Sequence, residues 1–219
     1  MPVILASASP RRRTLLARLG LPFDVIPPEV DEDAAHDQRP DRVARRLAVA
    51  KARAVAAANP NATVLAADTV VVHRGALLGK PGDPAQATAT LRRLRGDVHR
   101  VITAIAVVPP RRRRSLVAHA VTRVRMRDYS DGEIAASIAR GDPFDKAGAY
   151  AIQDELLHPV ANYEGCYCNV DGLPLWTAIR ILCRAGLDLT PIVIGNLPPQ
   201  CAGCPLRLDP PATIPPDHP

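Results

Sequence analysis

Apolar positions recur along the chain in two rhythms, one typical of strands and one of helices. A short apolar run at residues 3–6 predicts a buried strand, and a polar loop follows it. Ser9 and Pro10 then suit the N-cap and the first position of a helix. That helix carries leucines at helical spacing and ends near Gly20. The first twenty residues are therefore predicted to form a strand, a tight loop and a capped helix.

Four further segments show helical spacing or helix caps, and four show strand patterns. The helices are predicted at residues 39–59, 84–94, 130–140 and 174–185, the third with Ser130 as cap and Glu133 three residues later. The strands are predicted at residues 23–26, 63–73, 98–108 and 116–127. Strands that alternate with helices, together with one antiparallel hairpin around residues 109–114, favour an α/β fold with a mixed sheet.

The end of the chain differs in composition from the rest. Beyond Gly195 it contains the pairs Pro198-Pro199, Pro210-Pro211 and Pro215-Pro216. We expect one domain over residues 1–195 and an irregular Pro-rich tail over residues 196–219 that lies outside the core.

Composition narrows the function classes without choosing one. No apolar run reaches the roughly 18 residues of a membrane span, and no basic segment precedes the apolar start, so we expect a cytoplasmic protein. The formal net charge of +6 fits a polyphosphate substrate, a nucleic-acid surface or a merely basic surface. In strand 116–127 the arginines alternate with Thr122, Val124 and Met126, which indicates that the arginines lie on the solvent-exposed face of the strand. Aromatic residues make up only 3% of the chain, which argues against stacking on single-stranded nucleic acid.

The loop before the first helix is the first candidate for binding chemistry. Arg11 and Arg12 follow the cap, where the positive end of the helix dipole disfavours cations unless an anion is bound. The pattern therefore suggests a phosphate site, although two arginines that point into water fit it equally well.

Asp68 is the second candidate because it interrupts an apolar run. An ionised carboxylate is costly in such a strand unless it is paired, hydrogen-bonded or bound to a metal. We expect Asp68 to lie at a strand end or bulge that opens on a cleft. The alternative is a structural ion pair with one of the many arginines.

Two lysines in glycine-containing turns form the third candidate. Lys80 lies between Gly79 and Pro81, and Lys146 lies two residues before Gly148. Each lysine alone is typical of a solvated turn. Several cations with one isolated carboxylate could instead neutralise a triphosphate while the carboxylate, through Mg²⁺, activates water. The sequence contains neither a Walker A loop nor a Gly-x-Gly-x-x-Gly motif.

The cysteines form a Cys-x-Cys pair and a Cys-x-x-Cys pair, at residues 166 and 168 and at residues 201 and 204. Four thiolates could bind zinc, but the first spacing is unusual and the second pair lies in the tail. Buried or idle thiols are the favoured interpretation, and five cysteines argue against a disulfide framework.

Seven segments, in this order, resemble the Maf family of septum-formation-inhibitor-like nucleotide pyrophosphatases. The resemblance runs from Ile4 to about Leu182. The segments are Leu5-Ala-Ser-Ala-Ser-Pro-Arg-Arg, Leu47-Ala-Val-Ala-Lys-Ala, Ala67-Asp-Thr-Val-Val, Gly79-Lys-Pro, Val98-His-Arg-Val-Ile-Thr-Ala, Asp145-Lys-Ala-Gly-Ala-Tyr-Ala-Ile-Gln and Asn169-Val-Asp-Gly-Leu-Pro-Leu.

The resemblance implies a fold, a reaction and a set of site residues. The fold is a mixed twisted sheet flanked by helices, in two lobes around a substrate cleft, similar to ITPases, and homodimers are frequent. The reaction cleaves a nucleoside triphosphate into monophosphate and pyrophosphate with Mg²⁺ or Mn²⁺. Asp68 would activate water and, with Glu32, hold the metal. The substrate-binding residues would be Ser9, Arg11, Arg12, Lys51, Thr69, Lys80, Lys146 and Gln153.

The same resemblance favours the dTTP/UTP branch, in which Arg11, Thr69 and Gln153 would set base choice. The chain departs from that branch at Asp154-Glu155 and at Asp171, both near the expected base pocket. Modified pyrimidine nucleotides therefore remain candidate substrates. A basic nucleic-acid-binding protein, and a catalytically idle regulator of cell division, are the alternative functions.

Overall fold

A seven-stranded mixed sheet lies at the centre of the computed structural model, which describes residues 2–31, 39–112, 114–189 and 196–207. The strands are β1 (Val3–Leu5), β2 (Asp24–Val25), β3 (Thr63–His73), β4 (Ala76–Leu78), β5 (Val98–Val108), β6 (Leu116–Met126) and β7 (Val160–Glu164). The strand order is β2-β1-β3-β5-β6-β7, and β4 pairs with β3. β1 is parallel to both β2 and β3, and the other pairs are antiparallel.

Six α-helices flank the sheet in the described ranges. They are α1 (Pro10–Ala17), α2 (Pro40–Ala58), α3 (Pro84–Leu94), α4 (Asp131–Ala139), α5 (Tyr167–Val170) and α6 (Leu175–Arg184), with 3₁₀ turns at Ala147–Ala149 and Pro199–Cys201. Two sequence caps are confirmed: the Ser9 side chain accepts from Arg12 N at the start of α1, and Ser130 with Glu133 forms a capping box at α4. No helix in these ranges is long and apolar enough to cross a membrane.

Three buried clusters surround the long strands. One lies under α1 and α6 and includes Leu65 and Ala67 of β3. A second contains the alternate residues Val64, Ala66 and Val70, packed against α2 on the opposite face. The third joins the far ends of β3, β5 and β6 to α3 and α4. The mixed α/β fold predicted from the sequence is therefore confirmed.

The prediction that Asp68 lies at a strand end or a bulge is wrong, as the pairing of β3 shows. Its residues are paired without a break from Val64 to Val72 on β5, and Asp68 lies opposite Ala104 in the middle of this ladder. Asp68 is thus neither at a strand end nor in a bulge. The strand tolerates the carboxylate because Lys51 of α2 lies directly over it.

The prediction that the tail lies outside the core is also wrong for part of its length. Cys201 and Cys204 are buried in the same cluster as Trp176 of α6, and the indole Nε1 donates to the Cys201 carbonyl oxygen at 3.1 Å. Residues 196–207 otherwise contain only turns and a 3₁₀ turn, and residues 208–219 lie outside the described ranges. The domain boundary at residue 195 stays a prediction.

Candidate active site

A cleft of about 790 Å³ opens between the polar loop before α1, strand β3 and the turns after β4 and α4. It brings together nine of the residues singled out in the sequence. These are Ser9, Arg11, Arg12, Lys51, Asp68, Thr69, Lys80, Lys146 and Gln153. Glu32, the tenth, lies outside the described residues. The sequence argument thus converges on one place in the fold, and the roles of these residues stay predictions.

The most buried charges of the cleft are Lys51 and Asp68. Lys51 Nζ donates to Asp68 Oδ1 at 2.6 Å, and both side chains are less than a tenth exposed. The two groups come from different elements, since Lys51 lies on α2 and Asp68 on β3. A buried ion pair of this kind keeps a carboxylate inside an apolar strand and fixes its orientation.

Thr69 lies on the opposite face of β3 from Asp68 and is held by a chain of hydrogen bonds. Arg12 donates from a terminal nitrogen to Thr69 Oγ1 at 3.0 Å and from Nε to the Gly172 carbonyl oxygen at 3.0 Å. The Thr69 and Thr103 hydroxyls are 2.9 Å apart, and Thr103 Oγ1 donates to the carbonyl oxygen of buried Asn169 at 2.8 Å. This network locks the start of α1 and the loop after α5 onto the sheet.

The two cationic turns are joined to each other. Gly148 N donates to the Gly79 carbonyl oxygen at 3.1 Å, which places the segments carrying Lys80 and Lys146 side by side. Gly148 has a φ of 76°, and an added Cβ there would lie 3.1 Å from Val71 Cγ1. A side chain at this position would therefore be strained and crowded.

Two carboxylates of the cleft were not assigned a role from the sequence. Asp145 is exposed and contacts both Arg11, at 3.2 Å, and Lys146, at 2.5 Å. Asp171 was noted only as a departure from the family pattern. Its Oδ1 atom is buried without a hydrogen bond, with Arg11 Nε 3.9 Å away. An acid in the middle of a family motif was the signal that could have identified Asp171.

Comparison with known proteins decides the family. The family model described as Maf-like protein matches residues 2–185 of this chain. The chain belongs to the Maf family. It is 56% identical to the dTTP/UTP pyrophosphatase of Thermomicrobium roseum, over 94% of both chains. It is 49% identical to the dTTP/UTP pyrophosphatase of Moorella thermoacetica, over 85% of this chain and 96% of that one. Among solved structures, the Staphylococcus aureus Ham1 protein aligns at 17% identity and a TM-score of 0.41, over 68% and 85% of the two chains.

The charges of this Maf cleft suit a polyanion. Its lining carries five cationic side chains and three carboxylates, a formal excess of two positive charges (5 − 3). The cations are Arg11, Arg12, Lys51, Lys80 and Lys146, and the acids are Asp68, Asp145 and Asp171. Because such a cleft concentrates anions, a triphosphate is the kind of ligand that these residues favour.

The same lining suits a divalent cation whose remaining ligands come from a bound substrate. Within the described ranges, no group of three or more His, Cys, Asp or Glu is already arranged as a metal site. Mg²⁺ commonly uses one or two carboxylates and takes its remaining ligands from phosphates and water. Asp68, on the wall of this cation-lined cleft, supplies that kind of ligand.

Because of the Asp171 carboxyl group, we expect the stability of this Maf protein to fall as the pH rises, the reverse of the usual effect of an aspartate. Burial raises the pKa of Asp171 to about 6, although Arg11 and Gln153 oppose the rise. The native state therefore binds this proton more tightly than the unfolded chain does. The protonated Asp171 carboxyl group therefore stabilises the native state. This stabilisation is fully present below the ordinary aspartate pKa of 3.8 and is lost as the pH rises to about 6. The loss is on the order of 2–3 kcal/mol.

Asp171→Asn should remove that loss. We expect the variant to be more stable than the parent at pH 7.5 and the difference to vanish towards pH 4, as measured by urea unfolding at several pH values. Asp24→Asn, at an exposed position of β2, is the matched control and should leave the pH profile unchanged. A variant with the parent's pH profile would show that the Asp171 carboxyl group is not responsible.

Proposed function

We propose that this chain hydrolyses dTTP and UTP to the monophosphate and pyrophosphate in the cytoplasm. The observation that carries the proposal is the buried Lys51–Asp68 pair on the wall of a cation-lined cleft. The dTTP/UTP pyrophosphatase names of the Maf relatives support the substrate.

Asp68 acts as the base in this proposal. Lys51 fixes the carboxylate, which accepts a proton from a water molecule as the water oxygen attacks a phosphorus atom. A new phosphorus–oxygen bond forms, the bond to the oxygen that bridges the α- and β-phosphates breaks, and pyrophosphate leaves. The proton ends on Asp68 and returns to solvent after the products depart.

The cations hold the triphosphate during this step. Ser9 and Arg11 at the start of α1, with Lys80 and Lys146 from the joined turns, surround the volume where the phosphates would lie. Arg12 contributes charge from a position fixed by Thr69 and Gly172. When bound, Mg²⁺ or Mn²⁺ held by Asp68 and the phosphates would neutralise charge on the phosphate oxygens. Preorganised cations stabilise the charge that develops on the leaving group.

Base choice is assigned to Arg11, Thr69 and Gln153. Burial raises the pKa of Asp171, and a hydrogen bond from the Gln153 side chain opposes part of this rise. A carboxylate attracts the amide NH₂ end, so the Gln153 carbonyl oxygen is left to accept a hydrogen bond. Uracil and thymine offer an N–H at ring position 3, where cytosine has only an acceptor. This orientation therefore favours dTTP and UTP over dCTP and CTP.

Gln153→Ala should weaken this discrimination while leaving the hydrolytic step in place. We expect kcat/KM for dTTP and UTP to fall by about 10- to 100-fold, the effect of one lost hydrogen bond to a base. Activity on CTP should change much less. Steady-state kinetics on all three nucleotides measure the effect. Glu155→Gln, at an exposed neighbour outside the cleft lining, is the control, and equal losses on all three nucleotides would contradict the assignment.

A nucleotide panel tests the proposed function as a whole. Pyrophosphate release is measured with dTTP, UTP, the other common nucleotides and modified pyrimidine nucleotides, with and without Mg²⁺ or Mn²⁺. We expect release from dTTP and UTP in the presence of metal. Nucleotide binding without product would indicate an idle regulator instead, and salt-sensitive DNA or RNA binding without hydrolysis would indicate a nucleic-acid-binding protein.

A further inference from the structure

Four of the five cysteines converge on one buried point outside the nucleotide cleft. Cys166 and Cys168 lie at the start of α5, and Cys201 and Cys204 come from the tail segment 196–207. Their exposures are 2%, 0%, 2% and 6%, and all four belong to the cluster under α6. The chain thus brings two cysteine pairs together across more than thirty residues, in a protein whose proposed reaction uses no thiol.

The four sulfur atoms are neighbours in a series. Cys168 Sγ lies 3.4 Å from Cys201 Sγ. Cys166 lies near both Cys168 and Cys204, so the series runs 204–166–168–201. Every one of the four thiols therefore has a sulfur neighbour, which is the grouping that a tetrathiolate metal site requires.

Backbone N–H groups also point at these sulfurs. The backbone N–H groups of Cys168 and Asn169 lie near the Cys166 sulfur, and that of Leu206 lies near the Cys204 sulfur. N–H donors favour the charged thiolate over the thiol, and thiolates are the form that binds metals. The backbone around Cys166 and Cys204 thus offers N–H groups to these two sulfurs.

We propose that Cys166, Cys168, Cys201 and Cys204 bind one structural zinc ion. Zinc in structural sites takes four ligands in a tetrahedron with bonds of about 2.3 Å, which places the sulfurs about 3.8 Å apart. The 3.4 Å separation of Cys168 and Cys201 is a few tenths of an ångström shorter. Among the described residues no group of three or more such side chains is arranged to hold a metal ion, so zinc binding requires the four cysteine side chains to turn towards one centre.

The site has a structural purpose in the fold. Residues 196–207 contain one three-residue 3₁₀ turn and no strand, so little regular hydrogen bonding holds them. A zinc ion would pin this segment to α5, which carries Asn169 and its hydrogen bonds to Thr103. Disulfides between Cys168 and Cys201 and between Cys166 and Cys204 are the alternative use of these thiols, and the mass of the native protein distinguishes them from zinc. This proposal does not depend on the nucleotide reaction.

Metal analysis of the reduced full-length protein tests the proposal. The wild-type chain is incubated with ZnSO₄ under reducing conditions and desalted, and zinc per chain is measured by elemental analysis and native mass spectrometry. We expect one zinc per chain. The double variant Cys201→Ser/Cys204→Ser should lose it, and Cys183→Ser should retain it because Cys183 lies outside the sulfur series. Zinc should also raise Tm in the wild type and in Cys183→Ser only.

A second measurement on the wild type keeps the test valid if the double variant does not fold. Co²⁺ substituted for zinc should give the strong visible absorption and the sulfur-to-cobalt charge-transfer bands of a tetrahedral thiolate site. A wild-type chain that holds no zinc and shows no such bands would overturn the proposal. So would a folded double variant that retains one zinc, or a native protein with a mass two or four hydrogens lower, which would show one or two disulfides instead.

Discussion

Replacing Asp68 by Asn should lower pyrophosphate release from dTTP by about 100- to 10,000-fold, the usual contribution of a general base. Asn has the same shape as Asp but cannot accept the proton from water. The cleft and its cations remain, so KM for dTTP should change much less than kcat. The measurement is steady-state kinetics at saturating metal, with binding of dTTP followed separately by calorimetry.

Asp145→Asn is the matched control for Asp68→Asn. Asp145 is also a carboxylate of the cleft, but its side chain is 59% exposed and its ion pairs are with the cations Arg11 and Lys146. We expect its loss to change turnover by less than about tenfold, as for a surface ion pair. Full turnover in Asp68→Asn, or an equal loss in both variants, would remove Asp68 from the role of base.

Lys51→Met should destabilise the protein more than any other single change in the cleft. The substitution keeps a long apolar side chain but leaves the Asp68 carboxylate buried without its lysine. Removing one partner of a buried pair costs about 3–5 kcal/mol because the other charge stays uncompensated. Urea unfolding at pH 7.5 measures the change in the free energy of unfolding.

Two variants show whether the buried charge causes that loss. Arg53→Met removes an exposed cation from the same helix and should cost less than about 1 kcal/mol. Lys51→Met/Asp68→Asn removes both charges and should recover part of the stability lost in Lys51→Met, since no uncompensated charge remains. If the double variant is as unstable as the sum of the two single variants, the pair is not coupled.

The fold was largely predictable because the long elements carry strong local signals. The bounds of α3 and β5 match the sequence prediction, and the apolar stripe of α2 and the alternation of β6 placed those elements correctly. Three short elements, β4, β7 and α5, were missed. β7 has no buried residue and α5 has four residues, so neither offers a hydrophobic period long enough to detect.

The candidate site was predictable as a set of residues but not as a geometry. Asp68 was expected at a strand end or a bulge because the sequence does not show that Lys51, on another element, lies over it. Asp171 drew attention only by its departure from a motif, and its buried oxygen is visible only in the folded chain. The tail was expected outside the core because its prolines are visible in the sequence, whereas the contacts of Cys201 and Cys204 are not.

Product identity tests the central claim most directly. Purified protein is incubated with dTTP or UTP and Mg²⁺, and the products are separated by anion-exchange chromatography and quantified. The account predicts the nucleoside monophosphate and pyrophosphate in equal amounts, with no diphosphate intermediate, and at least about 100-fold less of both products from Asp68→Asn over the same time. Release of inorganic phosphate with dTDP or UDP, or an intact triphosphate in every reaction, would contradict it.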